Sequence, residues 1–494
     1  MMMMMMMMNH HYEHQQQQQQ QQRSLYRNLW PSRAIKNALK INHRETKKLK
    51  YFSSSFLTEN EEGEVEEVIE EQSSSHRSSN NRSSDTRNTR KRDLLTQTMA
   101  IMISSFSISF DVKAVEAKEE EELMMFTFTQ RFPTLFKPFL GNGTKKTIKT
   151  TLVENRCWAL EQTIELGPLE TPLRCVVIRL NSGELWVHNP LAPTQEFFSL
   201  VESCASNNNN KVAAIVVSTY ALEHKIFAKD AHEKWPEAEI WIAPGQFSFP
   251  QENVSNEFLY GTKSNVFVLS ESNDLSREQK QPKWSEEINY ETLDVGAFNV
   301  GNSKVQIKEC AFFDVQTGML IVTDSLCKIP SEPPVLSSKE KLLLVGKRST
   351  KDEQPEDTRE NILAGWKKTA LLVTFFFPEH EELISPTEVI WSDGWEKNFA
   401  SISNRLFVPP VVRTLLYAQD PKAVRNWVDR VSERFGDSMK TIVPAHWEAP
   451  IEADVKDFRR AFRFLEDDSI DSFLEGDLKR GLAPIAKAIL EKQR

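Results

Sequence analysis

Two short apolar runs in this chain end on a polar residue: 319–324 reads Met-Leu-Ile-Val-Thr-Asp, and 441–446 reads Thr-Ile-Val-Pro-Ala-His. Apolar runs of this length bounded by turn residues predict buried strands. Asp324 and His446 then stand at strand tips, where α/β proteins place ligand contacts. Residues 173–188 predict two β-rich runs joined by a turn at Asn181-Ser-Gly183, a hairpin signal. Residues 308–324 repeat that logic around Gln316-Thr-Gly318. Between the two hairpins, 212–217 (Val-Ala-Ala-Ile-Val-Val) predicts a strand, 221–235 a helix and 238–242 a second strand that stops at Ala243-Pro-Gly245. Strand, helix and strand in about 30 residues form a parallel crossover unit.

Helical patterns fill 358–373, 394–418 and 421–435, with Asp420 as cap and Pro421 as first helical residue. A last strand, 441–443, precedes acidic helices over 452–494. Residues 271–287 are charged and Pro-interrupted, and 330–357 are rich in Pro, Ser, Lys and Glu; both read as surface insertions. Paired hairpins, a crossover helix and a late His-bearing strand predict a layered α/β fold with helices outside the sheets.

Composition confines that fold to residues 118–494. The first 117 residues hold a run of Met, a run of Gln and Ser- and Arg-rich tracts, low-complexity sequence that buries too little apolar surface to fold and reads as disordered. They also read as an address. Up to residue 57 there are nine Lys or Arg and two acids, the basic, hydroxylated composition of an organelle transit peptide, here for a plastid. A basic flank, 90–92, then leads into the apolar stretch 94–110. That stretch resembles a weakened twin-arginine signal for transfer to the thylakoid lumen; a membrane anchor and a plain linker stay open beside it. With 17 residues including four Ser, it is short and polar for a membrane span.

From residue 118 on, 45 Lys and Arg face 56 Asp and Glu. An acidic body without a basic stripe argues against nucleic acid or an anionic membrane surface as partner and leaves a small molecule or a protein. The five cysteines include no C-x-x-C pair, so buried free thiols are expected rather than a disulfide framework or thiolate zinc site.

Candidate chemistry rests on few residues. His188 closes a strand in Leu185-Trp-Val-His-Asn-Pro190. His224 stands at the start of the crossover helix, near the carboxyl edge of the sheet. His232 lies eight residues on, roughly 12 Å along a helix, too far to share a metal, and reads as exposed. Asp324 suits a metal-ligating or base-orienting carboxylate, and His446 a late ligand or general base. Asp314, ending the first strand of its hairpin, has a weaker claim. Each has a structural alternative: a hydrogen-bonded His188, a turn-capping Asp324, a His446 bonded beside Trp447. His380 reads as solvent-facing. No nucleophile elbow, P-loop or Gly-rich dinucleotide turn is present.

With Leu185-Trp-Val-His-Asn-Pro190, the stretch 218–245 containing Trp235-Pro-Glu-Ala-Glu-Ile-Trp241, Val322-Thr-Asp324 and Val443-Pro-Ala-His446, the chain resembles a family of uncharacterised proteins. This is a domain of unknown function found in cyanobacteria, plants and algae and distantly similar to the metallo-β-lactamase fold. The likeness spans about 157–451. It implies an αββα sandwich with candidate metal positions at His188, His224, Asp324 and His446. Where relatives often carry a His-His pair, this chain has His224-Lys225, and where they often carry a His after the apolar strand it has Asp314. The dinuclear run His-x-His-x-Asp-His is absent; Tyr220 and Leu222 fall where its first two histidines are expected. The missing run and the long charged insertions, which could contact partners, favour a binding or scaffold protein on a degenerate sandwich; the alternative is a metal-dependent hydrolase with an altered, mononuclear zinc or iron site.

Overall fold

The computed structural model describes residues 124–129, 143–166, 168–206, 211–245, 255–270, 280–300, 303–385, 388–466, 473–484 and 486–487. The targeting segment read over 1–117 lies outside these residues, as do most of the 271–287 insertion and the end of the C-terminal helices.

Two sheets form the frame. The first runs in sequence order: β1 (Ile148–Val153), β2 (Cys157–Leu166), β3 (Leu169–Arg179), β4 (Leu185–His188), β5 (Val212–Val217), β6 (Glu239–Ile242) and β7 (Val266–Val268). β1 to β4 pair antiparallel and β4 to β7 parallel. The parallel half uses α1 (Gln195–Glu202) and α2 (Ala228–Lys234) as crossovers, with α3 (Asn256–Tyr260) before β7. The second sheet has β8 (Ile288–Val300), β9 (Ser303–Asp314), β10 (Met319–Ile321), β15 (Thr441–Val443) and β16 (Ile451–Glu452), in the order β16-β15-β10-β9-β8. Two-stranded pairs, β11 (Cys327–Lys328) with β14 (Leu406–Phe407) and β12 (Glu381–Ser385) with β13 (Glu388–Trp391), sit among the later helices.

The strands are apolar on both faces because both faces are covered. In β3, Val176 and Ile178 turn toward the second sheet while Cys175 and Val177 turn outward under Phe197 and Ala228. In β9 and β10, Phe312, Met319 and Ile321 turn inward and Ala311, Phe313 and Leu320 outward. The period of two along each strand separates the inter-sheet core from the outer layers. The result is helix, sheet, sheet, helix, the sandwich that the resemblance implied.

Over the second sheet lie α5 (Arg359–Phe375), α6 (Trp395–Ile402), α7 (Pro421–Phe435) and α8 (Val455–Ala461). α7 begins as the sequence predicts, with the Asp420 carboxylate accepting from Ala423 N at 2.9 Å. It is clamped to β8 by Glu291, 1 % exposed, which binds Arg430 Nε at 2.9 Å as well as Arg434. The predicted 394–418 helix is broken: α6 stops at Ile402, β14 intervenes, and the chain re-coils only over 412–419.

Residues 330–357, expected to be a plain surface insertion, contain α4 (Lys339–Gly346), whose Leu342 and Leu343 are buried. α4 packs against α5 so closely that a Cβ on Gly365 would lie 1.9 Å from Leu342 O. The far end of the sandwich is sealed by Arg156, bound to Asp314 at 2.6 Å, Glu287 at 2.8 Å and Arg179 O at 2.7 Å. All five cysteines are buried free thiols, as expected. No helix among the described residues is long and apolar enough to cross a membrane.

Candidate metal centre

β10 and β15 lie parallel with Ile321 opposite Val443. Asp324 and His446 each follow three residues later, so equal offsets from one register deliver both side chains to the same edge. His446 Nε2 stands 3.3 Å from Asp324 Oδ1. From the first sheet, β5 runs out through Ser218 into a 3-10 turn, Leu222–His224. This turn precedes α2, so His224 is not the helix residue that the pattern predicted. Its Nε2 comes within 3.4 Å of the same Asp324 oxygen. Among the described residues, these three form the one group of ligand atoms close enough to share an ion, all within 4.8 Å of one another.

β3 holds the His446 loop. His446 Nδ1 lies 2.7 Å from Pro172 O, a contact in which the ring donates, leaving Nε2 to face Asp324. Two residues on, buried Arg174 donates to Pro444 O, to Trp447 O at 2.5 Å and to Glu161. Trp447 is thereby kept in the left-handed region at φ +65°, which costs a bulky residue roughly 1–3 kcal/mol.

Asp324 is held by Glu309. This buried carboxylate accepts from the backbone N–H groups of Thr323 at 2.8 Å, Asp324 at 3.2 Å and Ser325 at 3.4 Å, and from Ser325 Oγ at 2.9 Å. Burial, reinforced by the Asp324 charge, pushes the Glu309 carboxyl up to about 7 despite these donors. Burial acts upward on Asp324 too, but His224 and His446 outweigh it and hold that carboxyl well below its ordinary range. Burial lowers His446, yet Asp324 and the Pro172 carbonyl leave it above its ordinary value. Tyr220 and Tyr417 lie in the field of Asp324 and Glu309, and burial together with those charges raises both phenols well above 10.

Neither ring nitrogen of His224 has a hydrogen-bond partner, and its side chain is 0 % exposed. With the His446 proton on Nδ1, its Nε2 and the Asp324 carboxylate are two acceptors facing each other, an arrangement that favours a proton or a cation between them. Tetrahedral zinc with bonds of about 2.0–2.1 Å separates its ligands by about 3.3 Å; the two histidine nitrogens lie 3.4 and 3.3 Å from Asp324 Oδ1, and all three atoms lie within 4.8 Å of one another. The donor set fits one ion. The Asp324 side chain remains 24 % and that of His446 15 % accessible, so the centre is reachable from solvent.

His188, expected as a companion ligand, is not in this group. It stacks on Trp186 at 5.5 Å and meets Phe312 edge-on between the sheets, with both ring nitrogens unpartnered. Burial, with a smaller contribution from His224, pushes it down to about 3. Asp314 is at the opposite end, paired with Arg156. His232 is buried at 8 % exposure instead of facing solvent, and His380 is half-buried with Nδ1 3.3 Å from Ser392 Oγ. Counted back from His224 as its last residue, a His-x-His-x-Asp-His run falls on Thr219, Ala221 and Glu223, one residue from the Tyr220 and Leu222 expected. The sequence reading missed Glu309, Arg174 and Tyr417. Counting the β9–β10 pairs outward from Asp314 and Met319 finds Glu309 opposite Asp324.

The architecture is therefore a two-sheet sandwich with a His-Asp-His group where its two sheets meet at one edge. By sequence, the chain belongs to the family described as Domain of unknown function (DUF4336), whose model matches residues 154–464. No curated protein matches it in sequence. Among solved structures it is similar to a metallo-beta-lactamase from Pontibacter korlensis, at 10 % identity over 65 % of this chain and 100 % of that one, TM-score 0.32. It is also similar to a fragment of a putative diflavin flavoprotein from Nostoc sp., at 8 % identity over 66 % and 99 %, TM-score 0.35. A third is the rubredoxin oxygen:oxidoreductase of Desulfovibrio gigas, at 10 % identity over 64 % and 60 %, TM-score 0.33.

Proposed function

We propose that this protein is a metal-dependent hydrolase with a mononuclear zinc or iron centre held by His224, Asp324 and His446. The observation that carries the reading is the buried His224 ring, unpartnered at both nitrogens and 3.4 Å from a carboxylate that also meets His446. A bound ion supplies a Lewis acid that lowers the pKa of water at an open position. The protein's own groups do the rest. Pro172 O fixes the His446 tautomer, Asp324 supplies the charge, and the part-exposed edge leaves the group open to solvent. Thr219 and Ala221, where a dinuclear run would place histidines, limit the centre to a single ion.

The test is metal analysis of the full chain after expression with zinc and iron. Roughly one ion per chain is expected, lost in Asp324→Asn and in His446→Ala. A wild-type protein without stoichiometric metal overturns the reading.

The loss of the histidine run favours a second reading, a binding or scaffold protein on the same sandwich. It predicts that Asp324→Ala with His446→Ala leaves stability and partner association intact. The composition of residues 1–57 adds a plastid location to either reading, tested by following residues 1–117 fused to a fluorescent protein.

A further inference from the structure

The Asp324 turn is built around a carboxylate that takes no direct part in the His-Asp-His group. Glu309 projects from the middle of β9 with 5 % exposure. Its Oε1 accepts from Thr323 N at 2.8 Å and Ser325 Oγ at 2.9 Å, and its Oε2 from Asp324 N at 3.2 Å. Three successive N–H groups pointing inward form a concavity that binds an anion, and the anion is part of the chain. The backbone of residue 309 also pairs with Thr219, just past β5, so one residue is tied to both segments that lead into the centre.

A buried carboxyl group so close to Asp324 is costly to retain, and a smaller polar side chain would suffice to hold a loop in place. A cradle that gathers three successive backbone N–H groups and a hydroxyl does more: it fixes the backbone of Asp324, and with it the carboxylate that both histidines face. We infer that Glu309 is a positioning residue for the metal centre, setting the affinity of His224, Asp324 and His446 for their ion by locking the turn at residues 323–325. The inference rests on the mononuclear centre proposed above.

The experiment compares zinc affinity, by competition with a chromophoric chelator, in wild type, Glu309→Gln and Ser325→Ala, together with the thermal midpoint of each metal-free protein. Glu309→Gln keeps the volume but presents an amide to backbone donors, and zinc binding weakens roughly 10- to 100-fold. Ser325→Ala removes a single donor, weakens binding by a smaller factor and keeps the inference testable if Glu309→Gln does not fold. Cobalt substituted into Glu309→Gln gives visible bands altered from those of wild type, a change that a purely structural role does not produce. Glu309→Ala regains affinity on addition of formate, which fits the vacated cradle.

A wild type that binds zinc while Glu309→Gln and Ser325→Ala bind it equally well, with only their midpoints lowered, makes Glu309 structural and overturns the inference. A wild type that binds no zinc defeats the metal centre itself, a different failure.

Discussion

Ser218 and Thr323 join the two sheets by a hydroxyl–hydroxyl hydrogen bond of 2.6 Å, with Asn189 Nδ2 donating to Ser218 Oγ at 3.0 Å. All three residues are buried and lie just past the ends of β4, β5 and β10. The edge that carries the centre is thus cross-linked directly beneath it. Ser218→Ala leaves the Thr323 hydroxyl and the Asn189 side chain short of a partner, at a cost of about 1–3 kcal/mol. Urea unfolding of the variant against wild type measures it.

Arg174 positions the His446 loop through two carbonyls. Arg174→Met leaves Pro444 O and Trp447 O without that donor, so a loss of roughly 2–4 kcal/mol is expected. Arg174→Lys restores little, because an ammonium lacks the planar fork that reaches three acceptors. Chemical denaturation of the three proteins, with zinc affinity measured alongside, checks both statements.

His188 predicts the opposite sign. Its ring is buried between Trp186 and Phe312 with neither nitrogen satisfied, and unmet polar atoms of this kind cost about 1–3 kcal/mol. His188→Phe keeps an aromatic ring in the stack and removes that cost, so its unfolding midpoint is expected to rise while metal content is unchanged. A fall in metal content would assign His188 a role at the centre.

Glu381 makes stability depend on pH. It lines an apolar cavity of about 500 Å³ between α4, α5 and the β12–β13 hairpin, and burial pushes its carboxyl from 4.5 up to about 7, against a weaker pull from Arg480. Below pH 4.5 the group is neutral in both folded and unfolded chains. As pH rises from 4.5 to 7 the unfolded chain ionises first, so stability falls across that window and stays lower above it. Glu381→Gln removes this contribution, giving a variant more stable than wild type at pH 8 by up to about 3 kcal/mol and nearly equal at pH 4. Unfolding curves at the two pH values decide it.

Much of the frame was legible because its signals are local. β5, β6, α7 and the Asp324 and His446 tips each follow a run whose periodicity and terminators agree. β8 was not, since its apolar residues are interspersed with Asn289, Glu291 and Asp294, and Glu291 is buried only because α7 supplies two arginines. α4 was masked by the Pro, Ser and Lys around it. In the centre, Asp324 and His446 could be singled out from sequence because each is polar at the end of an apolar run, and His224 because it follows β5 toward the carboxyl edge of the sheet; the structure brings the three side chains together. Glu309 sits mid-strand, where a carboxylate ordinarily marks a solvent face; its burial depends on the neighbouring turn. His188 had the same sequence signature as His446, but its ring follows Trp186 into the core, a direction set by the register of β4 against β3 and β5.

Arg156 and its partners close the end of the sandwich remote from Asp324. Its ties run to the β9–β10 turn, to Glu287 and to the end of β3, and none reaches the loops at 218–227, 322–326 or 444–448. Foundation and workshop are therefore separate parts of one chain. Changes in the loops around the His-Asp-His group leave the ties of Arg156 at the other end untouched.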